Sequence, residues 1–170
     1  MKHILLVFFA LFLYLGLYWP DVDKQFMFLL PHRSIVTHSV LLPFLVLIMV
    51  RSNYAKPIAA GLSAGISIHL AADLIPPMSS YTQLYLPAPL RVPIGATESL
   101  LWLGLNAMAG YWLALRLLKI HSKTIPFIYL VAAAGYAIYA RDDVRVLLVS
   151  FTIFLIPFMF DKAKSKLRQA

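Results

Sequence analysis

The sequence predicts an all-α fold, a polytopic membrane helical bundle with about six transmembrane helices. Composition supports this, because 61% of the 170 residues are hydrophobic and only 13% are charged, whereas a soluble domain carries about 25% charged residues. The apolar residues also fall into long runs of about 16–24 residues, close to the ~20 that cross a hydrocarbon core of about 30 Å. A third observation, the distribution of lysine and arginine, orients these runs.

Short polar segments separate most of the runs, which favours one compact bundle over two domains. Several runs are short for a membrane span, so we expect their flanks to lie in the headgroup region. The first run is longer than a signal core and lacks a small-x-small cleavage site, so we expect a retained helix. In chain order the runs are His3–Trp19, Ile35–Val50, Pro57–Ile75, Gly95–Leu118, Ile125–Ala140 and Val144–Phe160.

The longest loop of the predicted single domain, 1–170, is a proline-rich segment at 76–94. Its proline density prevents a regular helix, and Tyr81 and Tyr85 suit a loop in the outer interface of the membrane. The loop follows directly after candidate site residues, so it is either a lid or acyl-chain guide, or simply a connector. Its prolines are Pro76, Pro77, Pro87, Pro89 and Pro93.

The basic residues predict that both termini are cytoplasmic and that the chain is a multi-pass protein of the plasma (inner) membrane. Ten of them fall on one side of the six runs and five on the other, which together are all fifteen, and positively charged short loops stay inside. Six of the seven acidic residues, all but Asp161, fall on the outer side. The inner set is Lys2, Arg51, Lys56, Arg116, Lys119, Lys123, Lys162, Lys164, Lys166 and Arg168, and the outer set is Lys24, Arg33, Arg91, Arg141 and Arg145.

Composition also excludes several kinds of function. The chain has no cysteine, so thiolate catalysis, disulfides and cysteine-based metal sites are excluded. No serine lies in a nucleophile-elbow motif, so no nucleophilic triad is indicated. The net charge of +8 is spread over cytoplasmic loops and a tail. That distribution fits anchoring to lipid headgroups better than nucleic acid binding, which we do not expect.

Six potential metal ligands lie at the ends of three runs, and the predicted topology brings those ends to the outer side. His69 and Asp73 are four residues apart, so they lie on one face of the third helix, one turn apart. Imidazole and carboxylate without thiolate suit Zn²⁺, Mn²⁺ or Fe²⁺. We therefore expect one to three divalent metal ions, with zinc favoured and manganese second. The predicted ligands are Asp21, Asp23, His32, His38, His69 and Asp73.

Each of these residues taken alone has a structural explanation. A single interfacial Asp is commonly a helix cap or a topological marker, and a single His at a helix start is commonly a hydrogen-bonded interface residue. Ionisable groups inside a membrane, however, cost roughly 2.5–3.5 kcal/mol each on insertion scales and are usually functional. The shared side and this burial penalty favour a metal site over a network of paired side chains.

Other outer-face residues are candidates for substrate contacts. Arg33 and Arg91 are the arginines nearest the ligands in sequence, and arginine holds a phosphate through two parallel hydrogen bonds; the alternative is anchoring to headgroups. Glu98 is a candidate ligand, base or orienting partner of a ligating His, or a favourable charge at a helix N-terminus. Thr37 either orients a ligand or caps the second helix.

The motifs D-x-D, H-R-x-x-x-T-H-S and H-x-x-x-D, in this order, resemble the YdjM/YbcI-type family of inner-membrane metal-dependent hydrolases. The resemblance extends over roughly residues 18–115, because Leu84–Pro87 and Gly95–Glu98 are also similar to the family. Ser34 stands where the family usually has glycine. The matching motif residues are Asp21, Asp23, His32, Arg33, Thr37, His38, Ser39, His69 and Asp73.

The resemblance implies chemistry as well as fold. The family is similar in turn to zinc-dependent phospholipases C and single-strand-specific nucleases, which hold zinc ions with His and Asp and cleave phosphoesters. By this resemblance His32 is a further ligand or a proton donor. The ligands that the resemblance implies are His38, His69, Asp73 and one of Asp21 or Asp23.

The sequence thus predicts a membrane-embedded, metal-dependent hydrolase that opens to the extracytoplasmic side. The expected substrate is a phosphoester of a membrane lipid or lipid-linked molecule, attacked by metal-activated hydroxide. Arg33 would hold the phosphate, and Asp23 or His32 would handle the proton.

Two alternatives belong to other classes: a divalent metal-ion transporter or sensor, and a non-catalytic membrane scaffold. A transporter would place its ligands near the bilayer midplane with a route to both sides. Here the ligands stop at one interface and the inner halves of the same helices are apolar, which favours the enzyme. The scaffold predicts no bound metal, and it predicts that His69→Ala lowers stability only.

Overall fold

A computed structural model describes residues 2–75, 83–118 and 124–167. Within those ranges the regular structure is helical, without a strand beyond isolated bridges, so the predicted all-α class is confirmed. The helices are α1 (Lys2–Tyr18), a 3-10 helix (Trp19–Gln25), α2 (Leu41–Met49), α3 (Ala55–Asp73), α4 (Ala96–Leu117), α5 (Thr124–Tyr136) with a π-helical extension (Ala137–Arg141), and α6 (Arg145–Leu167).

Helix α3 is the centre of the bundle. All of its residues but Lys56 and Ile58 are buried, and the other five α-helices all contact it. Its composition explains this position, since alanine, glycine and serine make up much of its surface and let neighbouring helices approach closely. The polar end of α3 is therefore enclosed by other helices and is not exposed at the protein surface.

The closest approach is between α3 and α1. A Cβ added at Gly65 would lie 2.1 Å from the Leu13 carbonyl oxygen, and one at Gly61 would lie 2.4 Å from the Phe9 carbonyl oxygen. Only glycine fits at such distances. Because His69 follows Gly61 and Gly65 at the same spacing of four, it lies on the same face of α3 and meets the end of α1.

Large apolar side chains point outward on the helices around α3. Such a surface is unusual for a soluble monomer, which rarely exposes extended apolar patches. Examples at more than half exposure are Val7, Leu11, Ile48, Met49, Leu101, Leu105, Phe127, Val131 and Leu148.

Within the described residues, three helical segments are long and apolar enough to cross a membrane: His3–Gln25, Ala96–Leu117 and Thr124–Arg141. The described apolar part of α6, Arg145–Ile156, is shorter. Six crossings and cytoplasmic termini stay predictions.

The second apolar run differs from a continuous membrane helix. Of Ile35–Val50, only Leu41–Met49 is α-helical, and nine residues span about 14 Å at 1.5 Å per residue. Side chains explain the late start, because Ser and Thr hydroxyls compete for backbone groups near a helix start. The Ser39 hydroxyl donates to the Val36 carbonyl at 2.7 Å and accepts from the Leu41 N–H at 3.2 Å.

Part of the proline-rich loop, 76–82, lies outside the described residues. The remainder packs back onto the bundle: Leu84 is fully buried, and Tyr85 forms isolated bridges to Ser34 and Pro93. The Leu84 N–H also donates to the Ser99 hydroxyl of α4 at 2.8 Å. This half of the loop therefore fixes the segment from which His38 comes.

Candidate metal centre

The ends of α1, α3 and the α5 π-turn meet at one end of the bundle. His69 and Asp73 lie in the last turns of α3, and His38 lies in the irregular segment before α2. Helix α4 holds that segment, since Trp102 Nε1 donates to the His38 carbonyl at 2.9 Å and the Val40 N–H donates to Asn106 at 3.1 Å. Five separate parts of the chain thus position the site.

Three of the six predicted ligands are brought together. The Nε2 atoms of His38 and His69 each lie 3.4 Å from Oδ2 of Asp73, and one ligand atom from each residue lies within 4.8 Å of the other two. All three side chains are buried. In a tetrahedral zinc site with bonds of about 2.1 Å, neighbouring ligand atoms are about 3.4 Å apart.

The hydrogen bonds of His69 fix its tautomer. Its Nδ1 lies 2.7 Å from the Leu17 carbonyl oxygen, and since a carbonyl only accepts, Nδ1 carries the proton. Pro20, three residues after Leu17, has no N–H to donate back within the 3-10 helix, which leaves the Leu17 carbonyl able to accept from His69. The neutral imidazole therefore presents the Nε2 lone pair to Asp73.

His38 is held in the same way. Its Nδ1 lies 3.1 Å from the Ser34 carbonyl oxygen and 3.1 Å from the Thr37 hydroxyl oxygen. The carbonyl again requires the proton on Nδ1, so the neutral ring directs the Nε2 lone pair at Asp73. Bonding of the distal nitrogen to a carbonyl is the usual way in which a metal-ligating His is oriented.

Two lone pairs and a carboxylate oxygen thus point at one another inside the protein. Such an arrangement is repulsive unless a cation lies among them, because buried polar groups need complementary partners. A divalent metal ion or protonation of the imidazoles would satisfy it. The donor set, two imidazoles and one carboxylate, is the set found in catalytic zinc sites that keep a fourth position for water or substrate.

Asp23 supports this cluster from behind His38. It is fully buried, and its Oδ2 accepts from the Ser34 N–H at 3.1 Å and the Thr37 hydroxyl at 3.0 Å. Its Oδ1 accepts from Nδ1 of His32 at 3.1 Å, and Oδ2 lies 3.7 Å from Nδ1 of His38. Within the structure Asp23 therefore orients the His38 segment, and its predicted roles as a metal ligand and in proton transfer stay predictions.

The remaining predicted ligands lie outside the group of three. Asp21 forms an ion pair with Lys24 at 2.8 Å, with 34% of its side chain exposed. His32 has a 42% exposed side chain and contacts the cluster through Asp23. Their predicted ligand roles stay predictions, and so does the proton-transfer role of His32.

The predicted substrate residues are also spread apart. Arg91 is exposed and donates to the Phe28 carbonyl. Arg33 is half-buried in a left-handed backbone conformation with φ of 65°. Glu98 is exposed in the first turn of α4, next to Gly95. Among the side-chain contacts of the described residues, none joins Arg33, Arg91 or Glu98 to the cluster.

Arg141 and Tyr136 are the site residues that the sequence did not indicate. Nη2 of Arg141 donates to Oδ1 of Asp73 at 2.6 Å, and its Nε donates to the Tyr136 hydroxyl at 3.3 Å. That hydroxyl lies 2.9 Å from Nδ1 of His69. Tyr136 is the last residue of α5, and Arg141 is the last residue of the π-helix Ala137–Arg141. A π-helix is often found at functional sites, and hydrophobic periodicity does not predict it.

The loop after the π-helix is braced by its own ion pair. Asp142 adopts φ of 49°, and the next N–H, of Asp143, returns to the Ala137 carbonyl at 3.0 Å. Arg145 binds the Asp143 carboxylate, with Nη2 at 2.7 Å. These hydrogen bonds from Arg145 lower the pKa of the Asp143 carboxyl. This pair is separate from the one between Arg141 and Asp73.

No family model, no curated protein and no solved structure matches this chain.

Proposed function

We propose that this chain is a membrane-embedded, metal-dependent hydrolase whose site faces the extracytoplasmic side. The observation that carries the proposal is the convergence of the His38 and His69 Nε2 atoms on Asp73, with both Nδ1 protons bonded elsewhere. The order of motifs that resembles the YdjM/YbcI-type hydrolases supports it independently of the geometry. Zinc is the ion that the donor set favours, with manganese second.

The membrane part of the proposal is supported by the outward-facing apolar side chains and by three helices of sufficient length. We propose six crossings, in which α3 is shielded by the other helices, the short α2 presents apolar side chains such as Ile48 and Met49 to the bilayer, and the apolar start of α6 completes the bundle. The lysine and arginine distribution supports cytoplasmic termini. The site end of the bundle is then the extracytoplasmic end.

The residues present divide into three tasks. His38, His69 and Asp73 would hold the metal, which supplies an activated hydroxide near neutral pH and polarises the bond to be cleaved. Asp23 keeps the His38 segment in place through Ser34 and Thr37. His32, exposed and hydrogen-bonded to Asp23, is placed to exchange protons with solvent, which supports it as the acid or base of the reaction.

The position of the site supports a phosphoester of a lipid or lipid-linked molecule as substrate. The cluster lies at helix ends, where headgroups meet a membrane protein, and the helices beyond it are surrounded by apolar side chains. An acyl chain could remain in the bilayer while the headgroup reaches the metal. No nucleic acid partner is proposed.

A metal transporter is the second candidate, and the bundle interior bears on it. Below the site the bundle interior is not purely apolar, because it holds the buried hydroxyls of Ser63 and Ser67 of α3, Tyr111 of α4, Tyr129 of α5 and Ser150 of α6. A divalent ion is held by carboxylates and imidazoles more strongly than by hydroxyls. Among the described residues the metal-type group is confined to His38, His69 and Asp73, which favours the enzyme.

Hydrolysis by detergent-purified, zinc- or manganese-loaded protein tests the proposal. The probes are bis(4-nitrophenyl) phosphate and phosphatidylglycerol in mixed micelles. We expect phosphodiester cleavage by the wild type, loss of at least about 100-fold in His69→Ala, and wild-type rates in the control Ser63→Ala. Cleavage that is equal in His69→Ala and wild type would contradict the proposal, as would the absence of cleavage of either probe by metal-loaded protein.

A further inference from the structure

Arg141 has an unusual position for an ion-pair partner. Its Nη2 donates to the buried Oδ1 of Asp73 at 2.6 Å, while 32% of its side chain is exposed. Asp73 uses its other oxygen, Oδ2, towards His38 and His69. The guanidinium of Arg141 therefore contacts the group of His38, His69 and Asp73 on one side and is exposed at the protein surface on the other.

Much of the hydrogen-bonding capacity of Arg141 is unused. A guanidinium has five N–H donors. In Arg141, one N–H of Nη2 donates to Asp73 and the N–H of Nε donates to the Tyr136 hydroxyl. The Nη1 group makes no hydrogen bond to the described residues. A planar guanidinium with free N–H groups matches the oxygens of a phosphate, which it binds through two parallel hydrogen bonds.

The charge of the site points the same way. Arg141 neutralises Asp73, and His38 and His69 are neutral when they act as ligands. Even with the buried carboxylate of Asp23 counted, a divalent ion held by these residues would leave an excess of about one positive charge next to the free N–H groups. This excess of positive charge favours binding of an anionic group such as a phosphoester. A neutral amide or carboxyl ester needs no second cation to bind in its ground state.

The other outer-side arginines are engaged elsewhere. Arg91 donates to the Phe28 carbonyl, and Arg145 binds Asp143. Arg33 has no contact with the cluster among the described side chains. Arg141 is thus the arginine that the fold, as far as it is described, delivers to the ligands.

We propose that Arg141 binds the phosphate group of the substrate beside the metal, so that the site selects phosphoesters over amides and carboxyl esters. This inference rests on the proposed hydrolase function and adds to it the residue that selects the phosphoester. Arg141 would replace Arg33 and Arg91 as the residue that holds the phosphate. Tyr136 would position it, because the Tyr136 hydroxyl accepts from Nε and fixes the plane of the guanidinium.

The test measures phosphate binding to zinc-loaded protein by titration calorimetry. The variants are Arg141→Gln, which loses the charge, and Arg141→Lys, which keeps the charge but not the paired N–H groups. Arg145→Gln is the matched control, since it removes an arginine four residues away that binds Asp143. The probes are inorganic phosphate and dihexanoyl phosphatidylglycerol, whose comparison separates free phosphate from a lipid headgroup as the ligand.

We expect Arg141→Gln to weaken binding of at least one probe by tenfold or more, with Arg141→Lys between it and wild type. Arg145→Gln should bind like wild type, and zinc content should be the same in all four proteins. Equal binding of both probes by wild type and Arg141→Gln at equal zinc content would overturn the role of Arg141 and leave the metal site standing. Absence of zinc from the wild type would overturn both proposals.

A second measurement covers the case in which the Arg141 variants do not fold or do not hold zinc. Zinc-loaded wild type is treated with phenylglyoxal, with and without inorganic phosphate, and modified peptides are quantified by mass spectrometry. Phosphate should slow the modification of Arg141 by at least about fivefold and leave that of Arg145 unchanged. Equal modification of Arg141 with and without phosphate would overturn the proposal.

Discussion

The Nε2 atom of His69 lies 3.4 Å from Oδ2 of Asp73, one helical turn further along α3. Both side chains are buried where α1 crosses α3, and the Leu17 carbonyl holds the Nδ1 proton of His69 on the far side of the ring. A helix that only needed packing at this point would carry alanine or leucine, as the rest of α3 does. Together with His38, the pair forms a group that could hold a metal ion.

Asp23 should act on the metal through His38 and not as a ligand. In Asp23→Asn the negative charge is lost and one of the two acceptor oxygens becomes an amide donor, so the contact to His32 keeps a hydrogen bond only if His32 changes its tautomer. Loss of such an orienting partner lowers metal affinity by about 10–100-fold. We expect that rise in the zinc Kd, measured by competition with a chelating dye, with binding still one ion or more per chain.

Asp21→Asn is the matched control for Asp23→Asn. Its exposed ion pair with Lys24 should contribute less than about 1 kcal/mol to stability, and the zinc Kd should stay at the wild-type value. Complete loss of one ion in Asp23→Asn, or a large rise in Kd in Asp21→Asn, would instead identify that Asp as a direct ligand.

Gly65→Ala should damage the fold where α1 meets α3. The new Cβ would lie 2.1 Å from the Leu13 carbonyl oxygen, so the helices must separate, and overpacking of this kind costs about 1–3 kcal/mol. At about 2–4 °C per kcal/mol for a chain of this size, tryptophan fluorescence on heating in detergent should show a Tm lower by several degrees.

Gly104→Ala serves as the comparison, because a Cβ at Gly104 meets nothing within 4 Å. Its expected effect is a gain of at most about 1 kcal/mol from helix propensity. If the two alanine variants had the same Tm, the close packing of α1 on α3 would be wrong.

Ser67 and Ser63 should differ in their contribution to stability. The Ser67 hydroxyl donates to the Ala107 carbonyl at 2.6 Å and lies 3.1 Å from the Tyr129 hydroxyl, so it ties α3 to α4 and α5. Its removal in Ser67→Ala should cost about 1 kcal/mol. The buried Ser63 hydroxyl has no hydrogen-bond partner among the described residues, so Ser63→Ala should be neutral or stabilising.

Thermal unfolding and zinc content of both serine variants check this prediction. Zinc content should stay at the wild-type level in each, since neither hydroxyl contacts His38, His69 or Asp73. A larger loss of Tm in Ser63→Ala than in Ser67→Ala would refute the assignment of these contacts.

The proposed topology can be checked by labelling single introduced cysteines. The chain has no cysteine of its own, so an introduced thiol is the only one that can react. Asp142→Cys places it in the exposed loop next to the site, and Ser52→Cys places it in the exposed turn between α2 and α3. In intact cells a membrane-impermeant maleimide should label position 142. Position 52 should react only after the membrane is opened, and the reverse pattern would place the site on the cytoplasmic side.

The helical class and half of the site could be predicted from local sequence. Long apolar runs predict helices because the backbone hydrogen bonds of a helix form within its own segment. A spacing of four places His69 and Asp73 on one helix face regardless of the rest of the fold. The late start of α2 was not predictable from its apolar run, since it depends on hydroxyls of Ser34, Thr37 and Ser39 that act through a turn.

Which of the candidate residues come together at the site could be seen only in the three-dimensional structure. Asp23, His32 and His38 are close in sequence, yet the fold directs only His38 at Asp73, and that choice depends on which way each ring nitrogen finds an acceptor. Arg141 is 68 residues from its partner Asp73. Arg141 approaches Asp73 from the end of a π-helical turn. The sequence does not predict that turn, and an arginine in an outer loop does not by itself indicate a contact with the site.

Metal content is the most direct test of the central claim. Protein purified in detergent without chelator, before and after adding zinc or manganese, is analysed by inductively coupled plasma mass spectrometry beside His38→Ala, His69→Ala and Asp73→Asn, with Ser63→Ala as the folded control. We predict at least one zinc or manganese ion per chain in wild type and Ser63→Ala, and less than about a tenth of that in the three ligand variants. No ion in the wild type under either condition would contradict the metal site and make His38, His69, Asp73 and Arg141 a structural network.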